Sequence, residues 1–335
     1  SADFCGADCA KYSTYIKGRL LGMSNRIART LTVPEGVAGE RIDSALTRVL
    51  GLSRTAVVKL LEDGDITTGG KVMPKSDRVV AGQVIEVLMP EPLNPDPIPL
   101  TPIDGLSIIY DDSDIVVIDK PVGCAAHPSP GWTGPTVVGA LMAAGYSIST
   151  SGPAERQGIV HRLDVGTSGL MIVAKSDAAF HALKEAFRNR TIDKIYHAMV
   201  QGHMDPSTGT IDAPIDRHPK EDHRFAVMAT GKESITHYEV IEFYRGVSMV
   251  KIELETGRTH QIRVHFSALH HPLVGDTTYG ADPVLGKSLG MSRPWLHAAE
   301  LNFAHPVTGS SLHFQAPYPT DLTGSLALLS DAVLP

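Results

Sequence analysis

Residues 91–102 (EPLNPDPIPLTP) hold five prolines, with Pro90 directly before them. Proline locks φ and removes a backbone donor, so the run reads as a stiff, extended linker and marks a domain boundary. At 335 residues the chain has room for one sizeable core and a small accessory domain. The expected division is a small module over 31–90, the linker over 91–102 and a large domain over 103–335. Residues 1–30 are expected to be an extension outside the fold. They lack the apolar core of a signal peptide, and Met23 precedes the first periodic segment.

In the small module, Ile42, Leu46, Val49 and Leu50 make a helical stripe, and Gly51-Leu52-Ser53 stops that helix and caps the next. Val57, Val58, Leu60 and Leu61 carry a second helix to Gly64. Ile66, Val72, Val79, Val84, Ile85 and Val87 then predict short strands parted by Gly69-Gly70 and Ala81-Gly82. Beyond the linker, strand signals dominate. Residues 106–110 and 115–118 flank the turn at Asp111 to Asp114, and 170–175, 191–200, 234–243 and 248–254 follow. Helices are predicted over 136–144 and 177–190, the latter with Phe180, Leu183 and Phe187 on one face. Adjacent strands with helices interspersed, in no regular alternation, predict an α+β domain with a largely antiparallel sheet.

Two segments carry chemistry. His161-Arg162-Leu163-Asp164-Val165-Gly166-Thr167-Ser168-Gly169-Leu170 sets a carboxylate after a basic pair, on a loop whose glycines allow close approach of a ligand. An Asp in that setting stays ionised through a cationic neighbour or several hydrogen bonds, which suits a nucleophile or a base. The alternative is a structural Arg–Asp pair at the mouth of a strand. The second segment, Leu254 to His265, follows a strand, turns at Thr256-Gly257 and becomes helical, with Ile262, Val264 and Phe266 as its apolar contacts. Arg258 stands at the helix start, where it can reach back into a cleft.

Composition narrows the setting. Hydrophobic content of 42% with no apolar window near the roughly 18 residues of a membrane span describes a soluble chain. Three cysteines are too few for a disulfide scaffold, so a reducing cytoplasm is expected. Cys5 and Cys9 lack the second ligand pair of a zinc site. His260 and His265 are five apart and diverge on a helix, so the run through His270 and His271 is poorly spaced for a metal. A net charge of −7 does not announce a nucleic-acid binder, and any basic footprint has to be local. Arg188, Arg190, Lys194, Arg217, Lys220, Arg224, Arg258 and Arg263 could supply one, with Asp216, Glu221 and Asp222 among them.

Together the two segments resemble the signature loops of the RluA-type RNA pseudouridine synthases. The resemblance extends in order through Asp119-Lys120-Pro121-Val122-Gly123 with His127-Pro128, Lys194-Ile195-Tyr196, Gly275 to Gly280 and Leu296-His297-Ala298, and covers about residues 105–318. It implies a pseudouridine synthase fold and a catalytic Asp164, with Arg258 keeping that carboxylate charged and aligned and Tyr196 stacking on the extracted base. For Arg258 the alternative is a cap on a neighbouring carbonyl, and for Tyr196 a half-buried core tyrosine. The resemblance puts His161 and Arg162 in the space the flipped base vacates, although His161 also fits a hydrogen-bonded loop histidine. Lys194 and Arg263 are further candidates for RNA contact, and Asp276 and His297 for structural support. The small module resembles an RNA-binding module of a bacterial small-subunit ribosomal protein through Arg41-Ile42-Asp43, Ser53-Arg54, Asp63-Gly64, Gly70-Lys71 and Gly82, with Gly69 where an Asn is common. That points to Arg54, Lys59, Lys71 and Lys75 on RNA; a protein-contact domain is the alternative.

The expectation is thus an enzyme that isomerises uridine to pseudouridine in RNA, above all ribosomal RNA. It would act as a cytoplasmic monomer with no metal, small-molecule cofactor or membrane. The rivals are a non-catalytic RNA-binding or assembly factor of the same fold and a metal-dependent hydrolase built on the histidine run.

Overall fold

The structure, a computed structural model, describes residues 26–50, 52, 54–90, 98–129, 131–221 and 223–330. It divides into two compact units, Ser1–Asp96 and Pro97–Pro335. In the first, strands β1 (Arg26–Thr32), β2 (Ile66–Thr68), β3 (Lys71–Val72) and β4 (Val84–Pro90) form an antiparallel sheet in the order β1-β4-β2-β3. Helices α1 (Ile42–Leu50) and α2 (Arg54–Glu62) close its core with Ile42, Leu46, Val57 and Leu60 against Ile66, Ile85 and Val87. The stop and cap expected at Gly51 and Ser53 lie outside the described residues.

Two boundaries differ from expectation. The supposed extension to residue 30 enters the fold at Arg26, because β1 pairs along its whole length with β4, from Arg26↔Pro90 to Thr32↔Val84. Every β1 side chain but Leu31 is exposed, so this edge strand is held by main-chain bonds and carries no hydrophobic alternation. The far end of the expected linker belongs to the second unit. A Cβ on Gly139 would meet the carbonyl oxygen of Pro99 at 2.2 Å, so Pro99 packs directly on a helix.

The second unit is built on a nine-stranded sheet. Its strands are β5 (Ser107–Asp111), β6 (Ile115–Lys120), β7 (Ser168–Ala174), β8 (Asp193–Gln201), β9 (Thr208–Asp212), β12 (Ile235–Tyr244), β13 (Val247–Leu254), β14 (Leu296–Ala304) and β15 (Ser311–Gln315). The order is β5-β6-β7-β14-β8-β13-β12-β9, with β15 on β14. Only β7–β14 is parallel. A two-stranded ribbon, β10 (Ile215–Arg217) with β11 (Phe225–Val227), lies off the sheet. Strand β7 is buried along its length and splits its side chains between two cores. Met171 and Val173 join Val137 and Leu141 of α3 (Val137–Ala143), whereas Leu170, Ile172 and Ala174 meet Ala179, Phe180 and Leu183 of α4 (Asp177–Arg188). Helices α5 (Gln261–Ala268), α6 (Pro283–Ser288) and α7 (Thr320–Ser330) complete the unit. The parallel pairing depends on Gly169, whose φ is +112° and whose Cβ would strike the Ala298 carbonyl oxygen at 2.2 Å. That contact fixes the point at which the Asp164 loop joins the sheet.

Candidate active site

The Asp164 loop is tied down at three points. Thr167 N–H donates to the Asp164 carbonyl (3.0 Å), and Gly123 N–H donates to that of Val165 (2.9 Å). Arg293 donates to the Gly166 carbonyl (3.3 Å) while its guanidinium pairs in bidentate fashion with Asp321 of α7 (2.7 and 3.0 Å). Below the loop, Lys120 is fully buried, and its ammonium donates to the carbonyls of Pro121 and Cys124 (3.0 and 3.1 Å). Burial pulls its pKa down to about 8, against the pull of the Cys124 and Asp164 charges.

Asp164 keeps a fifth of its side chain exposed, and two basic side chains approach its Oδ2: Arg263 Nη1 at 3.7 Å and His260 Nε2 at 3.8 Å. Arg263 is aimed by other partners. Its Nε and Nη2 hold both oxygens of buried Asp276 (2.6 and 2.9 Å), and its guanidinium lies 4.8 Å from the Tyr279 ring centroid. Only the third arm is left for Asp164. This corrects two expectations. Arg258 is not the partner of Asp164: it is exposed, and its Nε donates to the Glu233 carbonyl (3.0 Å), the capping alternative. Arg263 is not a free RNA contact, because it is buried between two carboxylates and a phenol ring. Five residues apart around the α5 start, the two arginines point differently, and sequence order alone could not separate them.

Gln261 explains the turn that presents them. Its side-chain oxygen accepts from Thr256 Oγ1 and Arg258 N–H (2.8 and 2.9 Å), and its amide donates to the Ile235 carbonyl and to Thr236 (3.0 Å each). The histidine run disperses: His265 bonds Thr236 and the Ala213 carbonyl, His271 bonds the Gln201 carbonyl, and His260 alone faces Asp164.

Tyr196, on β8, is buried and lines the Asp164 pocket beside Leu163 and Leu296. Burial first, and the Asp164 charge second, push its phenol well above the usual range, so it stays protonated. His161 is committed elsewhere: its Nε2 accepts from Ile172 N–H (2.9 Å), and its ring stacks on Phe187 with centroids 4.7 Å apart. Burial, then the Lys194 charge, hold its pKa down at about 3. It is therefore the hydrogen-bonded loop histidine, unlike its exposed neighbour Arg162, which makes no hydrogen bond or ion pair among the described residues.

The pocket around Asp164 is about 100 Å³, below the range of roughly 300–1,000 Å³ that small-ligand sites occupy. A cleft of about 560 Å³ adjoins it through shared Arg162, Tyr196, Leu254, Gly257 and Arg258. Seven Lys or Arg side chains line that cleft with one carboxylate, Glu255. Arg156, Arg188 and Arg190 are ion-paired with Glu155, Glu185, Glu233 and Glu255, and the others leave a local excess of positive charge beside Asp164 in a chain of net charge −7. Arg156 and Lys184 of this wall were not singled out from sequence, and Phe187 reads there only as part of the apolar face of its helix. Lys184, Phe187 and Arg188 stand at i, i+3 and i+4 of α4, a spacing that could have found them. In the first unit Arg54 is bound to buried Asp43 (2.8 and 3.2 Å), which its hydrogen bond, against burial, holds at a pKa of about 2. Lys59, Lys71 and Lys75 are exposed.

A sequence model described as RNA pseudouridylate synthase matches residues 114–268, the span that carries the Asp164 loop and α5. An uncharacterized RNA pseudouridine synthase of Mycobacterium bovis is 56% identical over 303 residues, covering 90% of this chain and 98% of that one. The chain belongs to the RNA pseudouridine synthase family. It is an enzyme that isomerises uridine to pseudouridine in RNA. Among its synthase relatives, the protein named ribosomal large subunit pseudouridine synthase D from Vibrio cholerae is 38% identical over 328 residues, 93% of this chain and 98% of that one. The solved human RNA pseudouridylate synthase domain containing 1 shares 31% identity with a TM-score of 0.52, over 64% of this chain and 84% of its own. No described helix of this synthase is long and apolar enough to cross a membrane.

Proposed function

We propose that this synthase acts on large-subunit ribosomal RNA, with Asp164 as the carboxylate that opens the reaction. The observation that supports the role of Asp164 is its place: a partly exposed carboxylate at the floor of a pocket, flanked by Arg263, His260 and Tyr196. The ribosomal substrate rests on the names of relatives such as that of Vibrio cholerae. The bond changes balance within one nucleotide. The bond from ribose C1′ to N1 breaks, a bond from C1′ to C5 forms, and the proton leaving C5 is matched by one taken up at N1. No oxidant or external group enters. What the reaction needs is an ionised carboxylate, as a nucleophile or as a base.

Arg263 turns its third arm to the Asp164 carboxylate, in a pocket where low dielectric strengthens the attraction. Protonated Tyr196 offers a flat face to the extracted base. Extraction from a paired stem costs a few kcal/mol, and exposed Arg162 fills the vacated space. Lys184 and Lys194 in the cleft hold flanking phosphates, and Lys59, Lys71 and Lys75 of the first unit add contacts farther along the RNA. One chain carries every group named here, which supports a monomer, and the names of the ribosomal relatives support a place of work in the cytoplasm. The test is Asp164→Asn, which preserves shape and removes the charge. We expect no pseudouridine on transcribed large-subunit ribosomal RNA, with RNA affinity within about twofold of wild type. Turnover by that variant, free of wild-type contamination, rejects the role of Asp164.

A further inference from the structure

His260 lies outside the mechanism above, yet it is the most unusual residue of the pocket. It precedes α5 with a left-handed backbone (φ 57°, ψ 19°) and makes no capping hydrogen bond with its side chain. Residues other than glycine rarely adopt that conformation, with Asn the best tolerated, and it persists where the surroundings enforce it. Here those surroundings face the imidazole from every side. Asp164 and Arg162 come from the loop, Arg263 from α5, and Asp276 and Tyr279 from the segment after α5. Phe225 of β11 packs edge-on with ring centroids 5.6 Å apart, and Arg224 lies 5.4 Å from the Tyr279 ring centroid.

The hydrogen bonds select a tautomer. Phe225 N–H donates to the Tyr279 oxygen (3.0 Å), so that oxygen already accepts one bond. Its hydroxyl proton has one acceptor in reach among the described residues, His260 Nδ1 at 2.8 Å. An imidazole that accepts at Nδ1 carries its proton at Nε2. That nitrogen is the one facing Asp164, with its nearest approach to Oδ2 at 3.8 Å. Arg263 also makes its nearest approach at Oδ2, at 3.7 Å, and among the described residues no hydrogen bond reaches either carboxylate oxygen, so it is the side of approach that marks Oδ2 off from Oδ1. A separation of 3.8 Å is longer than a hydrogen bond, but such contacts in ligand-free sites commonly tighten when substrate excludes water.

We propose that His260 is a positioning residue. With its tautomer set by Tyr279, it presents Nε2–H to Oδ2 of Asp164 and, together with Arg263, leaves Oδ1 as the oxygen that meets the substrate. This rests on the reading of Asp164 as the reacting carboxylate. It also gives the left-handed turn a purpose, since that turn directs the ring back over the loop and away from the α5 axis.

The experiment measures tritium released from ring carbon five of labelled large-subunit ribosomal RNA under single-turnover, saturating conditions, alongside binding and thermal unfolding. His260→Asn tolerates the left-handed backbone but is too short to reach Asp164. Its rate should fall by roughly 10–100-fold, the worth of a hydrogen bond to a charged group, with affinity and unfolding nearly unchanged. His260→Gln places an amide N–H close to the Nε2 position and should restore most of that loss. Tyr279→Phe keeps the ring that Arg263 stacks on but frees the tautomer. It should slow wild type about fivefold and leave His260→Gln unaffected, a non-additivity that a purely structural tyrosine does not produce. Equal losses in the Asn and Gln variants, or additive losses with Tyr279→Phe, overturn the proposal. If Asp164→Asn retains turnover, the reading of Asp164 fails first; if Asp164→Asn is dead and His260→Asn runs at full rate, only the role of His260 fails.

Discussion

The pocket around Asp164 and the cleft beside it share a wall but use charge in opposite ways. Around the Asp164 carboxylate the side chains are spoken for: Arg263 is locked to Asp276, His260 to Tyr279, and both converge on one carboxylate oxygen, while Arg162, unpaired among the described residues, stands on the wall shared with the cleft. In the cleft, Arg156, Arg188 and Arg190 are paired with glutamates, but Lys184 and Lys194 lie over the rings of Phe180 and Phe187 (5.6 and 5.8 Å) with no carboxylate bound among the described residues. Buried, fully partnered groups hold geometry, whereas uncommitted cations neutralise phosphates and do little else. On this comparison, changes in the pocket should move the rate and changes in the cleft should move affinity.

Two arginines within one short segment sharpen the comparison most. Arg263→Ala removes the partner of a buried carboxylate as well as the cation beside Asp164. It should cost about 3–5 kcal/mol of stability and most of the rate. Arg258→Ala exposes a carbonyl that water can satisfy, so stability should hold to within about 0.5 kcal/mol and the rate should fall far less than for Arg263→Ala. Thermal unfolding together with single-turnover rates on both variants checks this; a larger rate loss at Arg258 would reverse the assignment.

An intermediate effect is expected from the first unit. Removing residues 1–96 should leave a folded second unit, because the chain from Pro99 onward packs on α3. Arg54 is occupied by Asp43, so three lysines, not four cations, remain for phosphates. The log–log slope of affinity against salt should therefore flatten by about three units, at roughly 0.9 per contact. Identical slopes would make the unit a protein-contact domain.

The smallest effect is on acid stability. His161 has a folded pKa of about 3 against an ordinary 6.5. Its contribution is therefore complete above pH 6.5 and is lost as pH falls from there towards 3. His161→Gln keeps an acceptor for Ile172 N–H and cannot titrate. It should flatten the decline by up to about 1.4 kcal/mol per pH unit, read from denaturation midpoints at pH 7 and pH 5. Parallel declines would mean that the ring protonates in the folded protein.

Much of this was legible in the residues. The proline run spans the point between Asp96 and Pro97 at which the two compact units part, and continuous apolar runs such as that of β7 read as strands of the large domain. The Asp164 loop was recognisable because glycine spacing and a flanking strand are local signals. Strand β1 was not, since an edge strand held by main-chain bonds has no reason to alternate. Nor were β9, β10, β11 and β15, which are short and half-exposed. Within the site, which arginine reaches Asp164 depends on a left-handed residue, His260, and on a carboxylate 13 positions beyond Arg263. Side-chain direction of that kind is set by tertiary packing, and without it the sequence reading placed Arg258 beside Asp164 and Arg263 in contact with RNA.

The division of labour between pocket and cleft is tested most directly by one titration. Single-turnover pseudouridine formation would be followed over a range of enzyme concentrations for wild type, Asp164→Asn and the Lys184→Ala/Lys194→Ala double variant. The double variant should need about tenfold or more enzyme to saturate yet reach the wild-type rate, while Asp164→Asn should bind as wild type and form no product. A double variant whose maximal rate falls along with its affinity, or an Asp164→Asn enzyme that turns over, would contradict the account.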